Sequence, residues 1–125
     1  MLQHIKTLLK DKIIFIAIAI TVFILYLSLF RMPKIGIEVN NIDKVYHLIA
    51  YYTLGITWLF AFYKLPKYKT VIIISCILFG IIIEVLQYLL TNYRTADYID
   101  AIANSLGVLL ALITFNLIFR KKQIK

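Results

Sequence analysis

The chain has 125 residues, of which 62% are hydrophobic and 16% are charged, and its mean hydropathy is +0.89. A soluble globular domain has about 45–50% apolar and about 25% charged residues, so this composition is that of a membrane protein and excludes a conventional soluble enzyme core. The net charge of +8 has no soluble domain on which to form a basic surface. We therefore expect no nucleic-acid partner. We also predict no cofactor.

Four apolar runs predict an all-α integral membrane bundle of four transmembrane helices, in a single domain that covers residues 1–125. The predicted helices cover residues 13–30, 45–63, 71–90 and 99–119. Each run approaches or exceeds the length of about 18 to 20 residues that a helix needs to cross the hydrocarbon core. The first run is longer than the ~7 to 15 apolar residues of a signal peptide, so we interpret it as a retained membrane anchor.

Basic residues predict the orientation of this bundle. Ten of the fourteen Lys and Arg residues lie in the N-terminal segment, the loop between the second and third runs, and the C-terminus. Because Lys and Arg accumulate on the cytoplasmic side, we expect both termini inside the cell. The outer ends are then the start of the second helix, the end of the third and the start of the fourth.

The first helix has few polar residues, and we expect it to form the outer wall of the bundle. The second helix is different, because Asp43, His47, Tyr51 and Gly55 recur every four residues and share one face. Asp43 is a candidate N-cap of this helix.

The third and fourth helices also carry polar residues at helical spacing. In the third helix, Cys76, Gly80 and Glu84 recur every four residues, and Gln87 follows one turn later. The polar face of the fourth helix contains Asp97, Asp100, Asn104, Gly107 and Ala111. A lipid-facing helix would not carry these groups, so we predict that the three polar faces meet at the outer end of the bundle. The side chains expected at one depth are His47, Tyr51, Glu84, Gln87, Asp100 and Asn104.

Several of these residues have both a functional and a structural interpretation. A carboxylate such as Glu84 is expensive inside a membrane, which favours a functional role. Arg94 either clamps a nearby aspartate or binds a phosphate or carboxylate from outside. Helix capping alone accounts for Asp97, and Lys44 is expected to extend to the membrane interface.

His47 has three open interpretations: a general base oriented by a carboxylate, a metal ligand, or a structural histidine. A metal site is the weakest of these, because one histidine with scattered carboxylates is a poor zinc signature, and we predict no metal. We also expect the glycines to be packing residues, with Ala103, Gly107 and Ala111 forming a ridge that lets a neighbouring helix approach. If the site is catalytic, the candidate residues are His47, Glu84 and Asp100.

These motifs resemble the VanZ-like family of small multi-pass membrane proteins over residues 43–111. The resemblance is carried by three blocks in order: Asp43-Lys44-x-x-His47-x-x-x-Tyr51-x-x-x-Gly55, Gly80-x-x-x-Glu84-x-x-Gln87, and Arg94-x-x-Asp97-x-x-Asp100-x-x-x-Asn104-x-x-Gly107. It implies a cell-envelope protein, since the namesake of the family confers low-level resistance to the lipoglycopeptide teicoplanin.

We therefore predict a protein of the cytoplasmic membrane with a polar pocket that faces outward and binds an envelope lipid, a precursor or a lipoglycopeptide. The predicted ligand-binding residues are Asp43, Lys44, His47, Tyr51, Glu84, Gln87, Arg94, Asp97, Asp100 and Asn104. The alternatives are an enzyme of the membrane interface, a proton-coupled oligomeric transporter, and an assembly subunit for another membrane protein.

Overall fold

The computed structural model describes residues 12–29, 40–90 and 98–124, and every regular element in them is helical. In chain order these elements are α1 (Ile13–Leu29), α2 (Asn40–Ala61), a short 3₁₀ helix (Pro66–Tyr68), α3 (Lys69–Leu90) and α4 (Tyr98–Ile124). The all-α prediction is thus confirmed for the described part of the chain.

Two segments are long and apolar enough to cross a membrane, Pro66–Leu89 and Ile99–Phe119. Helix α1 is apolar but has only 17 residues. Helix α2 has 22 residues, but the polar groups of its first turns lower its hydropathy.

Large apolar side chains cover the outside of the bundle. Examples from three helices are Phe23, Val71 and Leu117, which are all more than half exposed. A protein in water rarely exposes so much contiguous apolar surface, whereas acyl chains solvate it without cost.

Two helix boundaries differ from those predicted. Helix α2 begins at Asn40, so the prediction that Asp43 is its N-cap is wrong, and Asp43 lies in the first turn. A negative charge is favourable there because it opposes the positive end of the helix dipole. Helix α4 continues to Ile124 because the residues after Phe119 are mostly Arg, Lys and Gln, which are good helix formers.

The most extensive helix interface joins α2 and α4. Gly107 makes it possible, because a methyl group at this position would collide with the carbonyl oxygen of Leu48 and lie 2.9 Å from the amide nitrogen of Tyr52. On the facing side, a methyl group on Gly55 would lie 3.0 Å from Cβ of Ala111. The prediction that these small residues allow a close helix approach is confirmed.

Helix α1 packs against α2 through Ala17, which is fully buried beside Ala61. Because the start of α1 thus lies beside the end of α2, these helices are antiparallel. At its other end α1 meets α3, where the side-chain amide of Gln87 donates to the carbonyl of Ser28 at 2.9 Å. Helices α1 and α3 therefore run in the same direction.

Candidate functional site

An ion pair joins α2 to α4 at the start of both helices. The Lys44 ammonium donates a hydrogen bond to Oδ1 of Asp100. The Lys44 side chain is 27% exposed and that of Asp100 is 11% exposed. We expected Lys44 to extend toward the membrane interface, but its side chain instead crosses to α4, where it compensates the charge of a buried carboxylate.

One turn deeper, His47 contacts two residues of α4. Its Nδ1 lies 3.0 Å from Oδ1 of Asn104, and its Nε2 lies 3.8 Å from Oδ2 of Asp100. An amide oxygen only accepts hydrogen bonds, so Nδ1 carries the proton in this contact. The imidazole is thereby held in one orientation, with Nε2 directed toward the carboxylate.

Helix α3 reaches the same place through Gly80. A methyl group on this glycine would lie 3.1 Å from Cβ of Asn104 and 3.1 Å from a ring carbon of Tyr51. Glu84 follows one turn later, and only 7% of it is exposed. Its carboxylate is close enough to interact electrostatically with the Tyr51 hydroxyl.

The structure thus brings together six of the predicted site residues from three helices. We call this group the polar cluster, and its members are Lys44, His47, Tyr51, Glu84, Asp100 and Asn104. The expectation that polar faces of α2, α3 and α4 meet at one end of the bundle agrees with this geometry.

Gln87 is buried but its amide binds α1, as described above, so it anchors that helix. The sequence offered no signal for this contact, because its acceptor is a backbone carbonyl. The side chain of Asp43 and the predicted site residues Arg94 and Asp97 lie outside the described residues.

The Tyr51 hydroxyl and Nδ2 of Asn104 have no hydrogen-bond partner within the described part of the chain. Tyr51 is 2% exposed and Asn104 is 1% exposed. A buried donor without an acceptor costs about 1–3 kcal/mol. The cluster therefore retains hydrogen-bonding capacity that a polar group could use.

Helices α2 and α4 also form a groove beside the ion pair, which we call the α2/α4 groove. It has a volume of about 290 Å³ and its lining is apolar, because Lys44 contributes only apolar atoms to it. Leu48 and Leu106 lie along it, below the lysine. The Lys44 ammonium itself is paired with Asp100.

Nucleophilic catalysis has no support from the serine nearest the cluster, because the Ser105 hydroxyl donates to the carbonyl of Ala101 at 2.9 Å. Within residues 12–29, 40–90 and 98–124, no three His, Cys, Asp or Glu side chains are placed to hold a metal ion together.

Comparison with known proteins assigns the family. The sequence profile described as VanZ/LLP1 matches residues 3–120 of this chain. The chain belongs to the VanZ/LLP1 family. The match extends beyond residues 43–111 to include α1, so the whole described bundle is a VanZ/LLP1 unit, and the resemblance inferred from the motifs is confirmed.

A relative of this VanZ/LLP1 chain occurs in the yeast Schizosaccharomyces pombe, where it is named uncharacterized protein C11E3.10. It is 29% identical over 119 residues, which cover 94% of this chain and 70% of the yeast protein. No solved structure matches the chain.

Proposed function

We propose that this protein crosses the cytoplasmic membrane four times, with both termini inside, and that its polar cluster binds the headgroup of a membrane lipid or lipid-linked envelope precursor at the outer face. Two membrane-length helices and the apolar exterior support the membrane location. The basic loop and termini support the orientation.

One observation carries the binding role: a buried polar cluster with unused donors lies beside an apolar groove at the same end of α2 and α4. A phosphate or other polar headgroup would contact the Lys44 ammonium, which is 27% exposed at the side-chain level. Its acyl chain would lie in the α2/α4 groove, against Leu48 and Leu106. Burying a methylene contributes about 0.8 kcal/mol only when it leaves water. The acyl chain of a membrane lipid has already left water, so the groove gains little of this energy. The headgroup therefore supplies most of the selectivity between lipids.

A polar cluster that only held the helices together would have little reason to include ionisable groups. Charged side chains cost about 2.5–3.5 kcal/mol or more near the middle of a membrane, whereas amides or small hydroxyls would link helices at lower cost. The ionisable groups therefore favour a polar ligand such as a lipid headgroup. Protection against teicoplanin-type lipoglycopeptides would then follow from occupying or altering such a lipid.

The test compares Lys44→Gln and Asp100→Asn with the wild-type protein. We expect both variants to retain less lipid through purification in mild detergent, measured by mass spectrometry, and to give expressing cells less protection against teicoplanin. Membrane levels are checked by immunoblot. Lys69→Gln is the matched control, because it removes a lysine that binds Asn116 at 3.0 Å at the opposite end of the bundle.

A charge-swapped variant separates ligand binding from structural pairing. Lys44→Asp combined with Asp100→Lys restores an ion pair between α2 and α4 but places a carboxylate at the groove. We expect normal membrane levels without lipid retention. Recovery of lipid retention together with normal levels would make the pair purely structural and refute the proposal.

A membrane-interface enzyme is the second candidate, favoured by the geometry of His47. With the proton on Nδ1, the Nε2 atom can accept a proton from a hydroxyl group, and the Asp100 carboxylate 3.8 Å away can stabilise the imidazolium that forms. In that case His47→Gln would abolish product formation from lipid extracts while lipid retention persists. An inert wild-type protein across a broad lipid screen would eliminate this candidate.

A further inference from the structure

A second cavity, which shares no lining residue with the polar cluster, lies between α1, α2 and α3. We call it the α1/α3 cavity; its volume is about 330 Å³ and its lining is predominantly apolar. It runs along α2 from Leu54 to Phe62, a distance of about 12 Å at 1.5 Å per residue. Trp58 lies midway, where its indole donates to the Thr21 hydroxyl at 2.8 Å.

This cavity opens sideways between α1 and α3. These two helices contact each other less than any pair of helices that are consecutive in the chain. Val71 and Ser75 of α3 line the cavity and are both exposed on the outside of the bundle. In a membrane the opening faces acyl chains, which fill an apolar recess because a void would forfeit dispersion contacts.

Positive charge collects at one end of the cavity. The ring of Tyr68 packs against the ring of Phe62 in the cavity wall, with 5.6 Å between centroids. The Lys67 ammonium lies 5.2 Å from the centre of the Tyr68 ring. Lys12, which is exposed, immediately precedes α1 on the opposite wall.

Basic side chains, and not helix direction, set the charge at this end. Helices α1 and α3 begin here with the positive ends of their dipoles, but α2, which also lines the cavity, ends here with its negative end. Of the acidic residues, those whose side chains the structure describes, Glu84 and Asp100, belong to the polar cluster near the other end of the bundle.

We propose that the α1/α3 cavity binds one acyl chain of an anionic phospholipid from the leaflet at the basic end, with Lys67 and Lys12 contacting its phosphate. By the orientation given above, this is the cytoplasmic leaflet. The length of about 12 Å approaches the ~15 Å depth of one leaflet, half of a hydrocarbon core of about 30 Å. The site is separate from the polar cluster, so its test does not depend on the ligand of that cluster.

Charge complementarity favours an anionic phospholipid over two other possible occupants of the cavity, the N-terminal segment of this chain and a second copy of the protein. The N-terminal segment contains Lys6 and Lys10, and the loop between α2 and α3 of a second copy is also basic. Either would bring positive charge to a positive opening. An anionic headgroup is attracted there instead, and each nearby lysine strengthens binding roughly fivefold by the usual electrostatic effect at a membrane surface.

The experiment uses Trp58, the only tryptophan of the chain, as a reporter inside the cavity. The full-length protein is reconstituted in phosphatidylcholine vesicles that contain a small fraction of lipid with brominated acyl chains, which quench indole fluorescence on contact. We expect brominated phosphatidylglycerol to quench Trp58 several-fold more than the same fraction of brominated phosphatidylcholine. Equal quenching by the two lipids would overturn the proposal.

Two variants test whether Lys67 causes the preference for phosphatidylglycerol. Lys67→Gln should lower the preference for phosphatidylglycerol roughly fivefold. Lys64→Gln is the matched control from the same loop, because the Lys64 ammonium lies over Tyr63, whose ring contacts Phe119 of α4. An equal loss in both variants would indicate general surface attraction and refute a defined site.

A cavity-filling variant, Ser75→Phe, completes the test. It should remove quenching by both brominated lipids while the protein keeps its thermal stability in detergent. If wild-type Trp58 is quenched by neither lipid, the N-terminal segment or a second copy covers the cavity, and the proposal is wrong. Cross-linking of the reconstituted protein then distinguishes these two occupants.

Discussion

At the scale of single residues, Gly107 lies where α4 approaches the backbone of α2 most closely. Gly107→Ala should destabilise the protein by about 1–3 kcal/mol, because the added methyl group meets the backbone of α2 at Leu48 and Tyr52, which cannot rotate away. The measurement is unfolding in mixed micelles with increasing sodium dodecyl sulfate.

Gly55→Ala serves as the comparison for that variant, because its nearest neighbour is a side-chain carbon, Cβ of Ala111 at 3.0 Å. We expect a smaller loss. Equal destabilisation by the two substitutions would mean that helix propensity or general crowding, and not the backbone contact, decides the effect.

Asn104 tests the internal hydrogen bonding of the polar cluster. Asn104→Leu should destabilise the fold by about 1–3 kcal/mol, because it leaves Nδ1 of His47 without the acceptor that lies 3.0 Å away. Thermal unfolding in detergent measures the change.

Asn116 provides a control with the same chemistry on the same helix. Its side chain also accepts a hydrogen bond, from Lys69, but it is exposed. Asn116→Leu should stay within about 0.5 kcal/mol of the wild type. A similar loss at both positions would contradict the view that burial makes Asn104 important.

The pairing of Lys44 with Asp100 shows where sequence reasoning stops at this scale. The spacing of polar residues was sufficient to predict that His47, Glu84 and Asn104 converge, because each lies on an otherwise apolar helix and must face protein. A lysine near a helix end, however, can place its ammonium group in two ways. The side chain either extends to the membrane interface or pairs with a carboxylate on another helix. For Lys44 the choice depends on its distance from α4, which the sequence does not give.

At the scale of helices, α2 and α4 are joined by a second polar contact outside the polar cluster. The Tyr52 hydroxyl donates to the Thr114 hydroxyl at 3.0 Å. A double-mutant cycle with Tyr52→Phe and Thr114→Val should give a coupling energy of about 0.6 kcal/mol, and at most about 1.7 kcal/mol. A coupling near zero would mean that this contact does not hold the helices together.

The helix boundaries were harder to predict than the helices themselves. Hydropathy located all four helices, but α2 begins five residues before the apolar run and α4 extends five residues beyond it. Single-residue propensities differ by at most about 0.7 kcal/mol among ordinary residues, so packing overrides them. Helix α1 was assigned to the outer wall, and its contacts with Trp58 and Gln87 had no signature in the pattern.

At the scale of the whole molecule, the orientation in the membrane is testable with a single engineered thiol. In a Cys76→Ser background, Lys67→Cys should react with a membrane-impermeant maleimide only after the cytoplasmic side is opened, because the loop carries the positive charge that stays inside. Labelling of intact cells would reverse the proposed topology and place the polar cluster inside.

Because the most extensive helix interface joins α2 and α4, the order in which the helices are synthesised determines when the bundle can close. The partners of Lys44 and His47 are on α4, which is synthesised after α2 and α3, so the lysine cannot pair with Asp100 until α4 has been made. A nascent chain that ends at Leu90 would therefore lack the α4 partners of Lys44 and His47. Synthesis of α4 supplies these contacts, so the polar cluster can close only after α4 has been made.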